Sequence, residues 1–250
     1  MKRKNVIITA SAAVLASVVA GLAVTGKKIG WGPFGFLYDW DRETDKVTRR
    51  YPFEERQKEI VFYGASNFRL WKEMENDLKE YKVQNHGFGG STDKLLVKYA
   101  DKLLYPYNPE IVCFQTGSND YVTIQGSDDE KVRQCIAYKR GMFELFHAKL
   151  PDASFVVMSG LLLPGRAEYS EMTREINRQL KQLCDERDYM YFVDAEDLTF
   201  NNDKYRTELF IKDGIHLNHP GQLMWCENYI RPVLEKVIKE KGHGTVRREK

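Results

Sequence analysis

The sequence predicts an α/β fold, a three-layer α/β/α sandwich around a five-stranded, mainly parallel sheet. From residue 55 onward, short apolar runs alternate with longer amphipathic runs, which is the pattern of parallel strands and their covering helices. Loop-forming residues such as Gly, Asn and Asp follow the apolar runs. The chain has 250 residues, 42% of them hydrophobic, which is enough for one sizeable core.

The apolar runs set the bounds of five predicted strands. They are Glu59–Tyr63, Lys82–Asn85, Ile111–Gln115, Phe155–Ser159 and Tyr191–Val193. Helical spacing of hydrophobic residues predicts helices over Phe68–Tyr81, Thr92–Leu104, Asp129–Leu150 and Tyr169–Asp188. A last helix is expected to follow Pro220 and to run to about Lys239, since proline suits the first turn of a helix.

The N-terminal residues 1–28 have the composition of a targeting segment. Residues 2–4 are basic, and residues 5–26 are uncharged and, as a helix, just long enough to cross a hydrocarbon core of about 30 Å. This segment is either a signal anchor or a signal peptide cleaved near the small residues 18–20. We favour the anchor, because the apolar run continues past that point and ends at the lysines 27–28. The basic N-terminus favours a catalytic domain outside the cytoplasm at the cell membrane, with secretion after cleavage as the alternative.

Two further segments flank the predicted domain at residues 55–240. Residues 29–54 are rich in glycine and aromatic side chains and lack a clear period, so we expect a linker. Its aromatic residues would lie at the membrane interface or pack onto the domain. The basic tail, residues 241–250, is expected to be frayed and solvated.

Charge and cysteine spacing exclude several classes of function. The net charge is +2, but residues 1–28 hold five basic and no acidic residues, which leaves 33 bases against 36 acids elsewhere. No basic stripe with interleaved aromatic residues is present, so we expect no nucleic-acid partner. The four cysteines are far apart and show no metal-ligand spacing. Since the sequence shows neither a metal-ligand set nor a phosphate-binding loop, we expect no metal and no other cofactor.

Four loops at strand ends carry polar residues that belong together in an open parallel sheet. They are "GASN" at residues 64–67, "NHGFGGSTD" at 85–93, "TGSND" at 116–120 and "KDGIHLNHPGQ" at 212–222. Taken singly, each is an ordinary turn or helix cap. In this order and at these positions, they indicate one functional site.

The loops resemble those of the SGNH hydrolases, also called GDSL-type lipases and acylhydrolases, over nearly all of residues 59–235. The similarity is greatest to bacterial members whose first block reads Gly-Ser-Ser-x-x-Arg-Leu-Trp, here "GASNFRLW" at residues 64–71. The resemblance implies the flavodoxin-like SGNH hydrolase fold. The family's eponymous Asp is replaced by Ala65. Because that Asp is not a triad member, the departure concerns substrate preference more than catalysis.

The resemblance also implies the site residues. Ser66 would be the nucleophile, His216 the base and Asp213 the acid that orients it. The oxyanion hole would be formed by the backbone N–H groups of Ser66 and Gly90 and by the side-chain amide of Asn119.

The residue types suit this chemistry. A serine hydroxyl is a poor nucleophile at neutral pH and needs a base, whose tautomer a third group must fix. Asp213 lies three residues before His216, so one short loop can present both. Glycine at position 90 leaves its N–H open to a substrate, since it has no side chain.

The remaining polar candidates are expected to have other roles. No acid stands near His86 in the sequence, and His147, His219 and His243 lie in helices or the tail. Asn67 and Asp120 are expected to be structural braces. Asp194 follows the last strand, as either a supporting group behind the site or a helix cap.

The expected function is that of a serine esterase or acylhydrolase working through an acyl-enzyme intermediate. One interpretation is O-deacetylation of an envelope carbohydrate, and another is a lipase or lysophospholipase at the membrane. A third is a catalytically inactive binding protein of the same fold. The sequence contains no acyl-pocket signature, so the substrate stays open among small-molecule, carbohydrate and lipid esters.

Overall fold

A computed structural model describes residues 39–248. The predicted targeting segment at residues 1–28 lies outside the described residues, as do residues 29–38 of the predicted linker. Within the described residues, no helix is both long and apolar enough to cross a bilayer.

Five parallel strands form the central sheet. They are β1 (Ile60–Gly64), β2 (Val83–Asn85), β3 (Ile111–Gln115), β4 (Ser154–Met158) and β5 (Met190–Val193). Their order in the sheet is β2-β1-β3-β4-β5, and all four pairings are parallel. This is the doubly wound order of flavodoxin-like folds, so the predicted fold class is confirmed, with every strand within one residue of its predicted bounds.

Ten α-helices connect and cover the strands among the described residues. They are α1 (Trp40–Arg50), α2 (Ser66–Arg69), α3 (Met74–Asp77), α4 (Asp93–Leu103), α5 (Asp120–Thr123), α6 (Asp128–Lys149), α7 (Ser170–Asp185), α8 (Glu196–Thr199), α9 (His219–Trp225) and α10 (Arg231–Lys241). A π-helical turn, Cys226–Ile230, joins α9 to α10. Short 3₁₀ turns lie at Tyr105–Tyr107, Pro164–Tyr169, Thr207–Leu209 and Gly244–Val246. A small antiparallel pair, β6 (Phe200–Asn201) and β7 (Lys204–Tyr205), precedes the last loop.

The sheet is buried on both faces, which explains why its strands are continuous apolar runs. In β1, Ile60 and Phe62 belong to one apolar layer, and Val61 and Tyr63 belong to the other. Helices α2, α3, α9 and α10 contribute to the first layer, and α1, α4, α6 and α7 contribute to the second. Both layers hold the carboxyl ends of the strands in place, where the candidate site lies.

The predicted helix over Phe68–Tyr81 is wrong, because the structure has two short helices there, α2 and α3. The Asn85 side chain explains the break. Its Nδ2 donates to the carbonyl oxygens of Phe68, at 2.6 Å, and Trp71, at 3.2 Å. These are carbonyls that a continuous helix would bond to its own N–H groups. The side chain of a residue on β2 thus interrupts a helix that the local spacing of hydrophobic residues predicts.

The two predicted flanking segments also differ from expectation. Residues 40–50, assigned to a linker, form α1 and belong to the same compact unit as the rest of the described chain. The tail is not frayed as far as residue 248, since Val246 is fully buried and its carbonyl accepts from Lys82 N at 2.7 Å. The tail thereby pairs with residues 80–82, which lead into β2.

Candidate active site

The turn between β1 and α2 presents Ser66 at the carboxyl end of the sheet. β1 ends at Gly64, and a Cβ at that position would come within 2.3 Å of the Gln115 carbonyl oxygen, so only glycine fits between β1 and β3. Ala65 continues the sheet by donating its N–H to the same oxygen at 3.0 Å. Ser66 then begins α2. The close approach of β1 and β3 therefore fixes the position of the Ser66 backbone, from which the hydroxyl projects.

The loop before α9 brings the base and the acid to that serine. His216 Nε2 lies 2.7 Å from Ser66 Oγ, and His216 Nδ1 lies 2.6 Å from Asp213 Oδ2. His216 is only 5% exposed. The structure therefore brings together the three residues expected to form a triad, with the imidazole between the hydroxyl and the carboxylate.

The Asp213 carboxylate also accepts hydrogen bonds from the backbone of its own loop. Its second oxygen, Oδ1, accepts from the backbone N–H of Ile215 at 2.8 Å and of His216 at 3.0 Å. Burial raises the pKa of Asp213, but the hydrogen bonds from the His216 side chain and from these two N–H groups outweigh it, and the net pKa is lowered. Asp213 is thus held ionised, with both oxygens engaged.

Asn67 joins the two loops directly. Its Oδ1 accepts from Leu217 N at 3.1 Å, one residue beyond His216. The expected bracing role of Asn67 therefore has a concrete contact, which sets the distance between the serine and histidine loops.

Two backbone N–H groups that are expected to form the oxyanion hole have no acceptor among residues 39–248. The N–H groups of Ser66 and Gly90 donate to no atom of the described residues. Gly90 has φ of +66°, in the left-handed region that glycine adopts without steric cost. The preceding Phe88 N donates to the Gly64 carbonyl at 3.0 Å, which holds the Gly90 loop against the serine turn.

Asn119 is hydrogen-bonded to the loop that carries Gly90. Its Nδ2 donates one hydrogen to the Ser91 carbonyl oxygen at 3.0 Å, and the amide carries a second hydrogen. Its Oδ1 accepts from both terminal nitrogens of Arg166, each at 3.4 Å. The cation at the oxygen end fixes the orientation of the amide. The structure thus links the Asn119 loop to the Gly90 loop through Ser91, and the Gly90 loop to the serine turn through Phe88.

Arg166 is a residue that the sequence did not single out. Its side chain is 2% exposed, its Nη1 donates to the Ser118 carbonyl at 2.6 Å, and its Nε has no partner in the described chain. Burial lowers its pKa, but arginine remains charged in proteins. The available signal was a lone arginine close after the apolar run "LLLPGR", at the carboxyl side of β4.

A buried ionic cluster lies behind the Gly90 and Asn119 loops. Asp120 Oδ1 accepts from Asp93 N at 2.9 Å, and Lys139 Nζ contacts both carboxylate oxygens of Asp93, at 3.1 and 3.2 Å. The Thr116 hydroxyl donates to Asp93 at 2.7 Å. Asp120 thus braces the loop that begins α4, as expected. Lys139 was missed, although it falls in the apolar register of α6.

The four other histidines contact residues outside the expected triad. His86 is fully buried, with Nδ1 2.6 Å from the Leu103 carbonyl, and burial lowers its pKa to about 4. His219 pairs with Asp77 at 3.1 Å, and His243 pairs with Glu110 at 3.5 Å. His147 stacks on Tyr189 at 3.6 Å between ring centroids. None of these contacts involves Ser66.

The arrangement can move a proton from a serine hydroxyl to an imidazole whose other nitrogen faces a carboxylate. The N–H groups of Ser66 and Gly90 and the Asn119 amide are the donors expected to stabilise a negatively charged oxygen. Among residues 39–248, no group of three or more His, Cys, Asp or Glu side chains is arranged to hold a metal ion.

Comparison with protein families gives one match. The model of the GDSL-like lipase/acylhydrolase family matches residues 60–223, which include all five predicted site residues. No curated protein sequence matches the chain significantly.

Several solved structures share the fold. A protein from Bacteroides fragilis with a provisional acylhydrolase assignment superposes with a TM-score of 0.64 at 20% identity, covering 80% of this chain and 99% of that one. A GDSL-like lipase from Bacteroides thetaiotaomicron gives 0.58 at 18% identity, covering 77% and 97%. A mutant of a Geobacillus acetyl-xylooligosaccharide esterase gives 0.53 at 16% identity, covering 77% and 98%. At these identities the similarity concerns the fold.

Proposed function

The chain belongs to the GDSL-like lipase/acylhydrolase family, and on that premise we propose that it is a serine esterase working through an acyl-enzyme. One observation carries the proposal: hydrogen bonds of 2.6 and 2.7 Å run from Asp213 through His216 to Ser66. A binding protein of this fold without catalytic activity would not require these three side chains to be hydrogen-bonded in series.

In the proposed reaction, Ser66 Oγ attacks the ester carbonyl as its proton passes to His216 Nε2. The carbonyl oxygen becomes an oxyanion and accepts from the N–H groups of Ser66 and Gly90 and from Asn119 Nδ2. His216 returns the proton to the departing alcohol, which leaves an acyl group on Ser66. Water then attacks this acyl group with His216 as base, and the acid is released.

We propose a short acyl ester on a carbohydrate as the substrate. A cavity of about 290 Å³ has Thr92 and Asp120 in its wall, which closely follow Gly90 and Asn119 in the sequence. Its other lining residues are Lys94, Thr123, Ile124, Gln125, Gln134 and Tyr138. Hydroxyl and amide groups around an aromatic ring suit a ligand rich in hydroxyl groups. The esterase from Geobacillus, named for acetyl-xylooligosaccharides, also supports this choice.

A lipid ester is the second candidate, favoured by an adjoining apolar cavity of about 360 Å³. It shares Lys94 and Tyr138 with the polar cavity, and Val97, Met142 and Leu145 contribute to its wall. This groove would hold a hydrocarbon chain beyond the polar subsite.

We propose further that residues 5–26 tether the domain outside the cytoplasm, as their composition predicts. Membrane fractionation of the full chain, followed by protease treatment of intact cells, tests this. Retention with the membrane and cleavage from outside are expected. Recovery of the full-length chain in the soluble cytoplasmic fraction would contradict it.

The test of function is hydrolysis of p-nitrophenyl esters from acetate to palmitate, and of acetylated xylo-oligosaccharides, by the full chain and by Ser66→Ala. Activity on acetate that Ser66→Ala lacks, with acetate released from the oligosaccharide, is expected. An optimum at long chains would favour the lipid candidate. No turnover of any ester by folded protein would favour the inactive binding protein.

A further inference from the structure

The indole of Trp40, the first residue of α1, bonds to the loop that carries Gly90. Trp40 Nε1 donates to the Gly89 carbonyl oxygen at 2.9 Å. Trp40 lies outside residues 60–223, which the family model matches. The contact therefore connects a segment preceding the matched region to the predicted oxyanion hole.

The Gly89 carbonyl and the Gly90 N–H belong to one peptide group. This group is planar and trans, so its C=O and N–H point in opposite directions. A donor that holds the Gly89 oxygen therefore fixes the direction of the Gly90 N–H on the other side. That N–H donates to no atom of the described residues, as an oxyanion donor requires.

The peptide group between Gly89 and Gly90 lies in a stretch of the loop without side chains. The loop is held before it by Phe88 N on the Gly64 carbonyl and after it by Asn119 Nδ2 on the Ser91 carbonyl, each at 3.0 Å. Between these two points stand Gly89 and Gly90, and a peptide flanked by two glycines rotates with little steric resistance. The bond from Trp40 opposes that rotation.

Helix α1 is attached to α4 independently of this bond. Tyr99 OH donates to Asp41 Oδ1 at 2.7 Å, and Lys102 Nζ donates to Thr44 Oγ1 at 2.9 Å. Val47 of α1 is buried in the core. Because α1 is docked at several points, the indole is presented from a fixed support.

We propose that Trp40 is a positioning residue for the oxyanion hole: its indole N–H holds the Gly89–Gly90 peptide so that the Gly90 N–H faces the oxygen of the tetrahedral intermediate. The inference rests on the proposed function of Ser66 as the nucleophile. It makes α1 a part of the catalytic unit.

The test uses Trp40→Phe in the full chain, which keeps an aromatic ring and removes the donor. The kcat on p-nitrophenyl acetate is expected to fall about 10-fold with KM within about twofold. This is less than the 10²–10³-fold typical for loss of an oxyanion donor, because the Gly90 N–H is still present. The Ki of a boronic acid, whose adduct on Ser66 mimics the tetrahedral intermediate, is expected to rise by the same factor.

Trp71→Phe is the matched control, since Trp71 Nε1 donates to Asp77 Oδ2 at 2.6 Å, so the same substitution again removes an indole bond. Its kcat and boronate Ki are expected to stay within about twofold of wild type. A Trp40→Phe variant with unchanged kcat and Ki would overturn the inference. A fall in kcat without a rise in Ki, or equal effects of Trp40→Phe and Trp71→Phe, would also overturn it. A wild-type protein without esterase activity would instead contradict the proposed function and the inference with it.

Discussion

His216 Nε2 lies 2.7 Å from Ser66 Oγ, although the two residues are 150 positions apart in the chain. The serine follows the first strand of the sheet, and the histidine lies in the loop before the last long helix. Only completion of the doubly wound fold brings them together, and the bond from Leu217 N to Asn67 Oδ1 fixes their separation. Activity is therefore expected to require the folded domain from its first strand to its last loop.

Asp213→Asn is expected to lower kcat on p-nitrophenyl acetate by about 10⁴-fold, with little change in KM. The amide has nearly the shape of the carboxylate but cannot stabilise the imidazolium or enforce the same tautomer. Asp194→Asn is the control, since Asp194 is an exposed aspartate after a strand and contacts Glu196 N at 3.5 Å. A kcat for Asp213→Asn within tenfold of wild type would remove Asp213 from the triad.

Arg166→Ala is expected to lower kcat by up to the 10²–10³-fold that loss of an oxyanion donor costs, because the Asn119 amide loses the cation that orients it. Guanidinium ion in the assay is expected to restore part of the activity by entering the space left by the side chain. In an Asn119→Ala background, Arg166→Ala is expected to cost little more, since the two residues act as a unit. Full additivity of the two losses in kcat, without guanidinium rescue, would mean that Arg166 does not act through Asn119.

The site residues show which features of the fold and of the site could be predicted from the sequence. Strands buried on both faces are apolar runs, so their bounds could be predicted, and the loops with Ser66, Gly90 and Asn119 could be located from the strand ends. Arg166 could not be assigned, because its partners come from a loop some 47 positions away. Whether the assembled residues catalyse a reaction stays a prediction.

Other features of the fold depend on contacts between residues that are distant in the sequence, which local sequence patterns do not reveal. The break between α2 and α3 arises from the side chain of Asn85 on a neighbouring strand. Lys139 shares the buried face of α6 with apolar residues, and a lysine in that register was a usable signal. Trp40 begins α1, where Trp40, Thr44 and Val47 follow helical spacing, a signal that the linker prediction overlooked. Its role depends on a bond to Gly89, 49 positions away.

Lys139→Met is expected to reduce the free energy of unfolding by about 3–5 kcal/mol, because it leaves the Asp93 carboxylate buried without its cation. Both side chains of this pair are 1% exposed. Adding Asp93→Asn is expected to recover part of the loss. Lys181→Met is the control, since its pair with Asp185 is exposed and solvent screening leaves it little effect on stability. Equal losses for the two lysines in urea unfolding would contradict a special role for the buried pair.

Asp120 is expected to make stability depend on pH. Burial, together with the negative charge of Asp93, raises the pKa of Asp120 to about 8. Since the folded state then binds a proton that the unfolded state has released, the free energy of unfolding falls as pH rises from about 4 to about 8, by at most about 1.4 kcal/mol per pH unit.

Asp120→Asn carries no titrating proton, so this contribution is expected to be absent from its urea unfolding curves at pH 5, 7 and 9. The difference in stability between the variant and wild type is therefore expected to shift in favour of the variant as pH rises. A difference that stays constant over this range would show that Asp120 has an ordinary pKa in the folded protein.

The most direct test of the central claim, that Ser66 is the nucleophile, is labelling of the full chain with a fluorophosphonate, followed by mass spectrometry of the tryptic peptide over residues 59–69. Ser66 is the only serine or threonine in that peptide. One phosphonyl group per chain on Ser66 is predicted, absent in Ser66→Ala and formed far more slowly in His216→Ala. A folded protein that stays unlabelled, or is labelled at another residue, would contradict the account.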